Sequence, residues 1–491
     1  MRQKLPKVSS TAPSFFRVRW PAPLLALLLS AALPIQAHAA ELNGAAMTWP
    51  FALPFAGLLL SIALGPLLFA GFWHHHYGKV AAAWALVTLA ALTWQAGLGA
   101  ALASFVHALL AEYLSFIVLL FALYTVAGGI LVTGDIRGTP GTNTAILALG
   151  TLIASVVGTT GAAMILVRPL IRANLGRPHN VHVLVFFIIL AANVGGALSP
   201  LGDPPLFVGF LRGVDFFWTT RNIWLQTAIV AGLLLVIFAA IDAWRFRAEK
   251  TEPAASATKE PVRVRGLVNI VLIAAIVANT LVSATWKPGI SFEIAGTHIE
   301  LQNLVRDAVL VVIAGLSLWL TPDEHRAANG FNWEPIREVA KLFAAIFTAI
   351  VPVIAMLNAG HEGSFGWLLN AVTTPSGAPR EVAYFWFTGL MSAFLDNAPT
   401  YLLFFELAGG DPKVLMGDLA GTLAAISMGA VYMGALTYIG NAPNFMVAAI
   451  ANERGIRMPS FFGYMLRAGA VLIPLFVLLT VLPIHPLLSP G

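Results

Sequence analysis

The stretch Asn193-Val-Gly-Gly-Ala-Leu-Ser-Pro-Leu-Gly-Asp-Pro-Pro205 decides the fold. It interrupts an apolar segment, 181–211, that is otherwise long enough to cross a membrane. A similar interruption, Gly434-Ala-Leu-Thr-Tyr-Ile-Gly-Asn-Ala-Pro-Asn444, divides the apolar segment 416–451. The backbone groups that such breaks free must find partners inside the protein or in a water-filled cavity. The two stretches therefore predict broken membrane helices around an internal polar site.

The composition agrees with a membrane protein. The 491 residues are 58% hydrophobic and only 10% charged, and the mean hydropathy is +0.82. A soluble protein of this size needs more charge to cover its surface. The net charge of +5 fits basic loops that face an anionic membrane leaflet. The absence of cysteine excludes disulfides, thiolate metal sites and thiol catalysis.

The apolar segments predict an all-α polytopic fold with about ten transmembrane helices. Two further apolar segments, 143–173 and 383–407, are broken near their middle and are interpreted as re-entrant hairpins. With these hairpins, roughly seventeen basic residues fall on the cytoplasmic side and six outside, as the positive-inside rule expects. The predicted membrane segments are 49–73, 80–104, 112–133, 181–211, 222–244, 267–286, 303–320, 339–357, 416–451 and 461–483.

The N-terminus has the pattern of a secretory signal. Basic residues precede the apolar stretch 21–33, and Ala37-His38-Ala39 fits a small-residue cleavage site. Residues 1–39 are interpreted as a signal peptide, with an uncleaved anchor helix as the alternative. Both interpretations place Glu41 outside, and the topology then places the C-terminus outside as well.

The chain divides into two similar halves. The first half covers 40–244 and the second 267–491, and a polar linker, 245–266, is expected to be a solvated cytoplasmic tether. Corresponding breaks recur at an offset of about 238 residues, and paired breaks of this kind indicate a transporter's binding site. The first hairpin is expected to enter from the cytoplasm and the second from outside, so the two repeats are predicted to be inverted.

Polar side chains gather at the four breaks, and hard oxygen ligands of this type suit Na⁺. Asp203 and Asp396 are the two carboxylates inside the motifs, and we expect them to exchange a proton for a cation. Asn441, at the repeat position of Asp203, would be a neutral ligand. The candidate ion-binding residues are Thr159, Thr160, Asn193, Ser199, Asp203, Asp396, Asn397, Thr400, Thr437, Asn441 and Asn444.

Each of these features also has a structural explanation. Either aspartate could cap a half-helix, and Asn193 could join helices by hydrogen bonds. The tract 74–76, which is three histidines, is interpreted as a solvated loop rather than a metal site. Arg168 and Glu406, at equivalent repeat positions, are interpreted as interface residues rather than substrate contacts.

The two motifs resemble those of the ion transporter superfamily, which includes arsenite permeases, NhaD-type sodium–proton antiporters and citrate transporters. The stretch 193–205 looks like its G-G-x-x-x-x-x-G-D-P-P signature, and Asp396-Asn-Ala-Pro399 like its D-N-x-P motif. The resemblance covers roughly residues 50–483 and is strongest to the branch of citrate transporters and sodium–proton antiporters. It implies a homodimer in which a mobile domain moves against a scaffold. The carboxylate transporters of the group carry Ser-Asn-Thr motifs that are absent at these hairpin tips, and Leu206 stands where Asn usually follows G-D-P-P.

Several functions remain open at this point. Na⁺/H⁺ antiport by alternating access leads, with uptake of citrate or a metal–citrate complex next and arsenite export third. A channel is disfavoured by inverted hairpins that carry carboxylates. An enzyme would need a metal cluster or a nucleophile–base pair, which the motifs do not offer. We expect no cofactor and no nucleic acid, only the lipid bilayer, a small ion and the coupling ions Na⁺ and H⁺. The expected location is a bacterial inner membrane.

Overall fold

The computed structural model describes residues 42–249, 260–294 and 296–481. In these residues the chain is a succession of apolar helices, with two short two-stranded ribbons, β1–β2 and β3–β4. The elements in chain order are α1 (Leu53–Leu68), α2 (Ala70–His107), α3 (Leu114–Ala127), β1 (Leu131–Thr133), α4 (Pro140–Val157), α5 (Thr159–Asn174), α6 (Val181–Leu190), α7 (Pro204–Leu211), α8 (Trp218–Ala248), β2 (Arg263–Arg265), α9 (Val268–Thr285), β3 (Ser291–Ile294), β4 (Thr297–Glu300), α10 (Leu301–Leu320), α11 (Asp323–Ala328), α12 (Glu334–Ala349), α13 (Val351–Asn358), α14 (Gly366–Val372), α15 (Glu381–Leu395), α16 (Asn397–Leu407), α17 (Pro412–Met416), α18 (Ala420–Met433), α19 (Ala442–Glu453) and α20 (Phe461–Val481). Short 3₁₀ turns lie at Gly44–Ala46, Trp49–Ala52, Val194–Gly196, Gly360–Glu362 and Gly434–Leu436.

The all-α polytopic fold is confirmed. Eight stretches of the described chain are long and apolar enough to cross a membrane, and three shorter apolar helices accompany them. One of the eight, Ala70–Ala127, has 58 residues, nearly three times the roughly 20 that a single crossing requires. Gly97, with φ 86°, and the π-helical turn Ala108–Tyr113 interrupt it, so this stretch holds more than one of the predicted segments.

Both predicted hairpins form as pairs of helices that fold back on each other. Helices α4 and α5 are joined by Gly158 alone and pack side by side, and Asn143 near the start of α4 bonds Asn174 at the end of α5. Helices α15 and α16 are joined by Asp396 alone, and Tyr384 near the start of α15 donates to the carbonyl of Leu407 at the end of α16. In each hairpin the two chain ends therefore lie together and the single connecting residue forms the tip.

The two hairpins open at opposite ends of α8. The open end of the first hairpin meets the C-terminal end of α8, where Asn143 donates to Asp242 at 2.8 Å. The chain that follows the second hairpin meets the N-terminal end, where Trp218 donates to the Met416 carbonyl at 3.4 Å. Residues 218 and 242 are separated by about 36 Å along a helix, enough to span the hydrocarbon core. The repeats are therefore inverted with respect to each other.

The same hydrogen bonds recur in the two repeats. Ser199 donates to the Ser155 carbonyl in the first repeat, and Thr437 donates to the Ala393 carbonyl in the second. The packing is also reciprocal, since α7 of the first repeat packs on α16 of the second while α19 of the second packs on α5 of the first. Contacts exchanged in this way are typical of two-fold symmetry.

The prediction that the three histidines at 74–76 form a solvated loop is wrong. The histidines at 74–76 lie in the first turns of α2 rather than in a loop, because the helix already begins at Ala70. His75 and His76 bond the carbonyls of Gly71 and Phe72 one turn earlier, which is compatible with helical backbone. No group of three His, Cys, Asp or Glu side chains able to hold a metal occurs in the described part of the chain.

The predicted tether 245–266 has regular secondary structure in each of its two described parts. Helix α8 continues through Ala248, and Arg263–Arg265 pairs with β1 as an antiparallel strand. Residues 250–259 lie outside the described part, as do the predicted signal peptide 1–39, Glu41 and the last ten residues of the chain.

Candidate functional site

Asp203 lies at the centre of the two repeats and is 1% exposed. One carboxylate oxygen, Oδ1, accepts hydrogen bonds from Thr159 Oγ1 and Asn441 Nδ2, each at 2.9 Å. The other, Oδ2, accepts from Asn397 Nδ2 at 2.5 Å. In the described chain, every hydrogen-bond donor to this carboxylate is neutral. A buried carboxylate without a cationic partner either holds a proton or binds a cation.

Four helix N-termini converge on Asp203. Thr159 begins α5 and Asn397 begins α16, while Asp203 and Asn441 directly precede α7 and α19. Each N-terminus carries partial positive charge from unpaired N–H groups, which favours a negative group at this point. The helices that end here, α4 and α15 among them, present carbonyl oxygens that can hold a cation.

Three asparagines extend the network away from the carboxylate. Asn441 also donates to Asn193 Oδ1 at 3.2 Å, and Asn193 donates to Asn444 Oδ1 at 2.7 Å. Asn444 in turn donates to the carbonyls of Gly434 and Thr437. Each asparagine is at most 1% exposed, and the chain of bonds passes between the two repeats. The network therefore fixes the unwound segment of one repeat against that of the other.

Three of the predicted hydroxyl ligands instead form hydrogen bonds with backbone groups at the breaks. Ser199 and Thr437 donate to carbonyls at the ends of α4 and α15 and accept from backbone N–H groups two residues later. Thr400 donates to the Asp396 carbonyl at 2.7 Å. Thr160 is half-buried, and none of the hydrogen bonds described for the network involves its hydroxyl. These four hydroxyls surround the network without contacting the Asp203 carboxylate.

Asp396 forms the tip of the second hairpin. Its Oδ1 accepts a hydrogen bond from the Ala398 N–H at 3.2 Å, so the side chain caps α16. Its φ of 74° is the only positive value at a non-glycine position in the described chain, and Gly158 has φ 81° at the equivalent position. A side chain costs about 1–3 kcal/mol in such a conformation, and strain of this kind concentrates at functional sites.

The Asn397 amide leaves one oxygen without a partner. Its nitrogen donates to Asp203, but Oδ1 is buried and accepts no hydrogen bond. A buried acceptor without a donor costs about 1–3 kcal/mol of free energy, and a bound cation would remove that cost. Asn397 directly follows Asp396 in the chain, and its amide nitrogen is bonded to the Asp203 carboxylate. The site thus contains the oxygen ligands that Na⁺ prefers.

Arg168 and Glu406 lie away from the hairpin tips. Arg168 donates to the Gly330 carbonyl at 3.4 Å, whereas Glu406 pairs with Arg212 at 2.8 Å. Arg212 also pairs with Glu112 at 2.7 Å, a contact that sequence patterns do not predict because the two residues are 100 positions apart. None of these residues is bonded to the Asp203 network in the described structure.

The open end of the first hairpin is held by a separate ion-pair cluster. Arg177 pairs with Asp242 at 2.6 Å and with Glu249 at 2.9 Å. Burial lowers the pKa of the Arg177 guanidinium, but its hydrogen bonds and charge interactions with the two carboxylates outweigh burial and raise it. Arg177 is therefore a fixed positive charge that ties the hairpin to α8.

Two inverted repeats with broken helices around a buried carboxylate define a membrane transporter. A family model described as "Putative citrate transport" matches residues 44–484, and the chain belongs to that family within the ion transporter superfamily. Uncharacterized transporters of Mycobacterium bovis and Mycobacterium tuberculosis are each 24% identical to it over 359 residues, which cover 68% of this chain and 74% of each relative.

Proposed function

We propose that this transporter exchanges Na⁺ for H⁺ across the membrane by alternating access. The observation that carries the proposal is the Asp203 carboxylate, which is buried between the repeats and accepts hydrogen bonds only from neutral groups. A carboxylate with an arginine or lysine partner would be neutralised permanently. Asp203 instead needs a mobile positive charge, which either a proton or a metal cation can supply.

The neighbouring oxygens favour a cation as the second occupant. The unpartnered Asn397 Oδ1, the Asp203 carboxylate and the carbonyls at the ends of α4 and α15 are all hard ligands. Asp396 adds a second carboxylate next to Asn397, and we propose that it shares the coupling with Asp203. Proton and Na⁺ would then compete for the same negative charge, which is the requirement for exchange.

Uptake of citrate, alone or with a metal, is the second candidate. The family description favours it, and so does the convergence of four helix N-termini, which can hold carboxylate groups. No arginine or lysine contacts the Asp203 network in the described residues. A trivalent anion at that network would need a bound cation to offset its charge, so this candidate also requires the cation site.

The membrane setting follows from the same proposal. We propose a bacterial inner membrane, with the first hairpin open to the cytoplasm and the second open to the outside. Glu41 and the C-terminus would then lie outside, and a homodimer is proposed by analogy with the superfamily. The transport cycle would use Na⁺ and H⁺ and no cofactor.

The test is proton movement in proteoliposomes that contain a pH-sensitive dye. Na⁺, Li⁺, K⁺, citrate and arsenite are added in turn, and dye signal and uptake of radiolabelled citrate are recorded together. Na⁺-evoked proton efflux that needs no citrate is the expected result. Citrate uptake without Na⁺-evoked proton movement would replace the antiport proposal with the second candidate, and proton movement evoked by arsenite alone would reject both.

A further inference from the structure

Arg212 forms ion pairs with two carboxylates that belong to different helices. It directly follows α7, and its Nη1 lies 2.8 Å from Oε1 of Glu406, near the end of α16. Its Nη2 lies 2.7 Å from Oε1 of Glu112, in the π-helical turn between α2 and α3. The Arg212 side chain is 26% exposed and both carboxylates are more buried, so solvent screens the pairs only in part. One arginine is thus shared between two negative charges.

Helices α7 and α16 form one unit. Asn397, the first residue of α16, donates to Asp203, which directly precedes α7. The Arg212–Glu406 pair joins the other ends of the same two helices. Between these contacts, Gly209 of α7 approaches a tyrosine hydroxyl of α16 so closely that an added Cβ would lie 2.4 Å from it. A movement of the central site would therefore carry both partners of the Arg212–Glu406 pair along together.

Glu112 is fixed to a different group of helices. The next residue, Tyr113, donates from its hydroxyl to the Ala340 carbonyl of α12 at 2.9 Å. Ser115 of α3 donates to Asp307 of α10 at 2.6 Å. Helices α3, α10 and α12 belong to stretches long enough to span the membrane, and none of them begins or ends at the Asp203 network. The ion pair to Glu112 therefore connects the unit of α7 and α16 to helices outside the central site.

We propose that the Arg212–Glu112 ion pair is a releasable latch, which holds one state of the transport cycle and opens when the central site moves. The inference rests on the proposed alternating access, in which one group of helices moves against another. Because α7 and α16 form one unit, Arg212 keeps its bond to Glu406 and exchanges only Glu112 for water. The guanidinium therefore never becomes an unpaired buried charge, which would be strongly unfavourable. A single carboxylate partner could not meet that requirement.

Distances between two spin labels test the latch without an ion gradient or a substrate. One label is attached at Lys413→Cys, in the helix that follows α16, and the other at Leu98→Cys, an exposed position of α2. The natural chain has no cysteine, so only these two sites react. One distance should dominate in the full-length protein with Glu112 intact. Glu112→Gln should raise the population of a second distance about tenfold, because a charge-assisted hydrogen bond is lost.

Glu406→Gln is the matched control. It removes a carboxylate from the same arginine, but from within the unit of α7 and α16, and it leaves the Arg212–Glu112 pair in place. The distance distribution should therefore remain that of the protein with Glu406 intact. An unchanged distribution in Glu112→Gln, or an equal shift in Glu406→Gln, would overturn the inference, since two contacts that only stabilise the fold would not differ in this way.

Reversible cross-links connect the latch to transport. A short, cleavable bifunctional thiol reagent joins Glu112→Cys to Arg212→Cys in one protein and Arg212→Cys to Glu406→Cys in another. The first cross-link should stop Na⁺-evoked proton movement in proteoliposomes until a reductant cleaves it, whereas the second should not change it. Movement that continues across the first cross-link would contradict the latch. Absence of Na⁺-evoked proton movement before any cross-linking would instead reject the antiport proposal, and the spin-label distances would still decide the latch.

Discussion

Asp203 and Asn441 occupy equivalent positions in the two repeats, 238 residues apart, and the Asn441 amide donates to the Asp203 carboxylate at 2.9 Å. The pair lies on the approximate two-fold axis, because the residue at the same position of each repeat meets its counterpart there. Only one of the two is acidic. Two carboxylates at this distance would repel each other, so the asymmetry leaves a single negative charge at the meeting point of the repeats.

Asp203→Asn should abolish Na⁺-evoked proton movement in proteoliposomes. The variant removes the charge and replaces one of the two acceptor oxygens with an N–H₂ group, so at least one of the three donors then faces no acceptor. That loss should also lower the free energy of unfolding by about 1–3 kcal/mol. The control is Asp215→Asn, since Asp215 forms an exposed ion pair with Arg221 outside the network. Full exchange activity in Asp203→Asn would mean that Asp203 is not the proton carrier.

Asn441→Asp should shift the pH dependence of exchange. A second carboxylate beside Asp203 favours retention of a shared proton, because two adjacent negative charges are unfavourable in a buried site. Na⁺ can then displace that proton only at higher pH, so the pH profile of Na⁺-evoked dye signal should move upward by about one unit or more. An unchanged profile would show that residue 441 is electrostatically separate from the coupling carboxylate.

Asp396→Gly should separate stability from function. Glycine adopts the backbone conformation at φ 74° without strain, which would return about 1–3 kcal/mol, while loss of the bond to the Ala398 N–H costs about 1 kcal/mol. Thermal unfolding in detergent should occur at an equal or higher temperature, and Na⁺-evoked exchange should be lost. The opposite change at the equivalent tip, Gly158→Ala, should destabilise the protein, because alanine is strained at φ 81°. A destabilised but fully active Asp396→Gly protein would assign Asp396 a capping role only.

Gly202→Ala and Gly440→Ala should both disrupt the unwound segments. An added Cβ would lie 2.1 Å from the Gly196 carbonyl oxygen in the first repeat and 2.5 Å from the Gly434 carbonyl oxygen in the second. A backbone carbonyl cannot move aside as a flexible side chain can, so the free energy of unfolding should fall by about 1–3 kcal/mol or more. Thermal unfolding measures this change. Gly232→Ala on α8 is the control, because open space surrounds it and helix propensity should then stabilise the protein by about 1 kcal/mol.

Single cysteines introduced by His179→Cys and Lys413→Cys should be labelled from opposite sides of the membrane. Both positions are exposed, His179 follows the open end of the first hairpin and Lys413 follows that of the second. The natural sequence has no cysteine, so each variant has one reactive thiol. With an impermeant maleimide on intact cells, we expect labelling of Lys413→Cys only, and of His179→Cys only after the membrane is opened. Labelling of both from one side would contradict opposed hairpins.

The broken helices and the hairpins could be predicted from the sequence because each depends on local chain chemistry. Gly158 and Asp396 divide apolar segments that are too long or too interrupted for one helix, and the offset between the repeats identifies the equivalent breaks. The start of α2 at Ala70 could not be predicted in the same way. Three adjacent polar histidines suggest a loop, but the side chains of His75 and His76 bond carbonyls one turn earlier within the helix.

The amino-acid sequence by itself determined where the helices break and which polar residues stand at the breaks, because glycine, proline and apolar length act over a few neighbouring residues. Only the tertiary structure decided that Asn397 and Asn441 donate to Asp203, and that the Ser199 and Thr437 hydroxyls bond backbone groups instead. These contacts join residues up to 238 positions apart, and which of several similar hydroxyls and amides meet depends on how α7 and α16 pack across the two-fold axis.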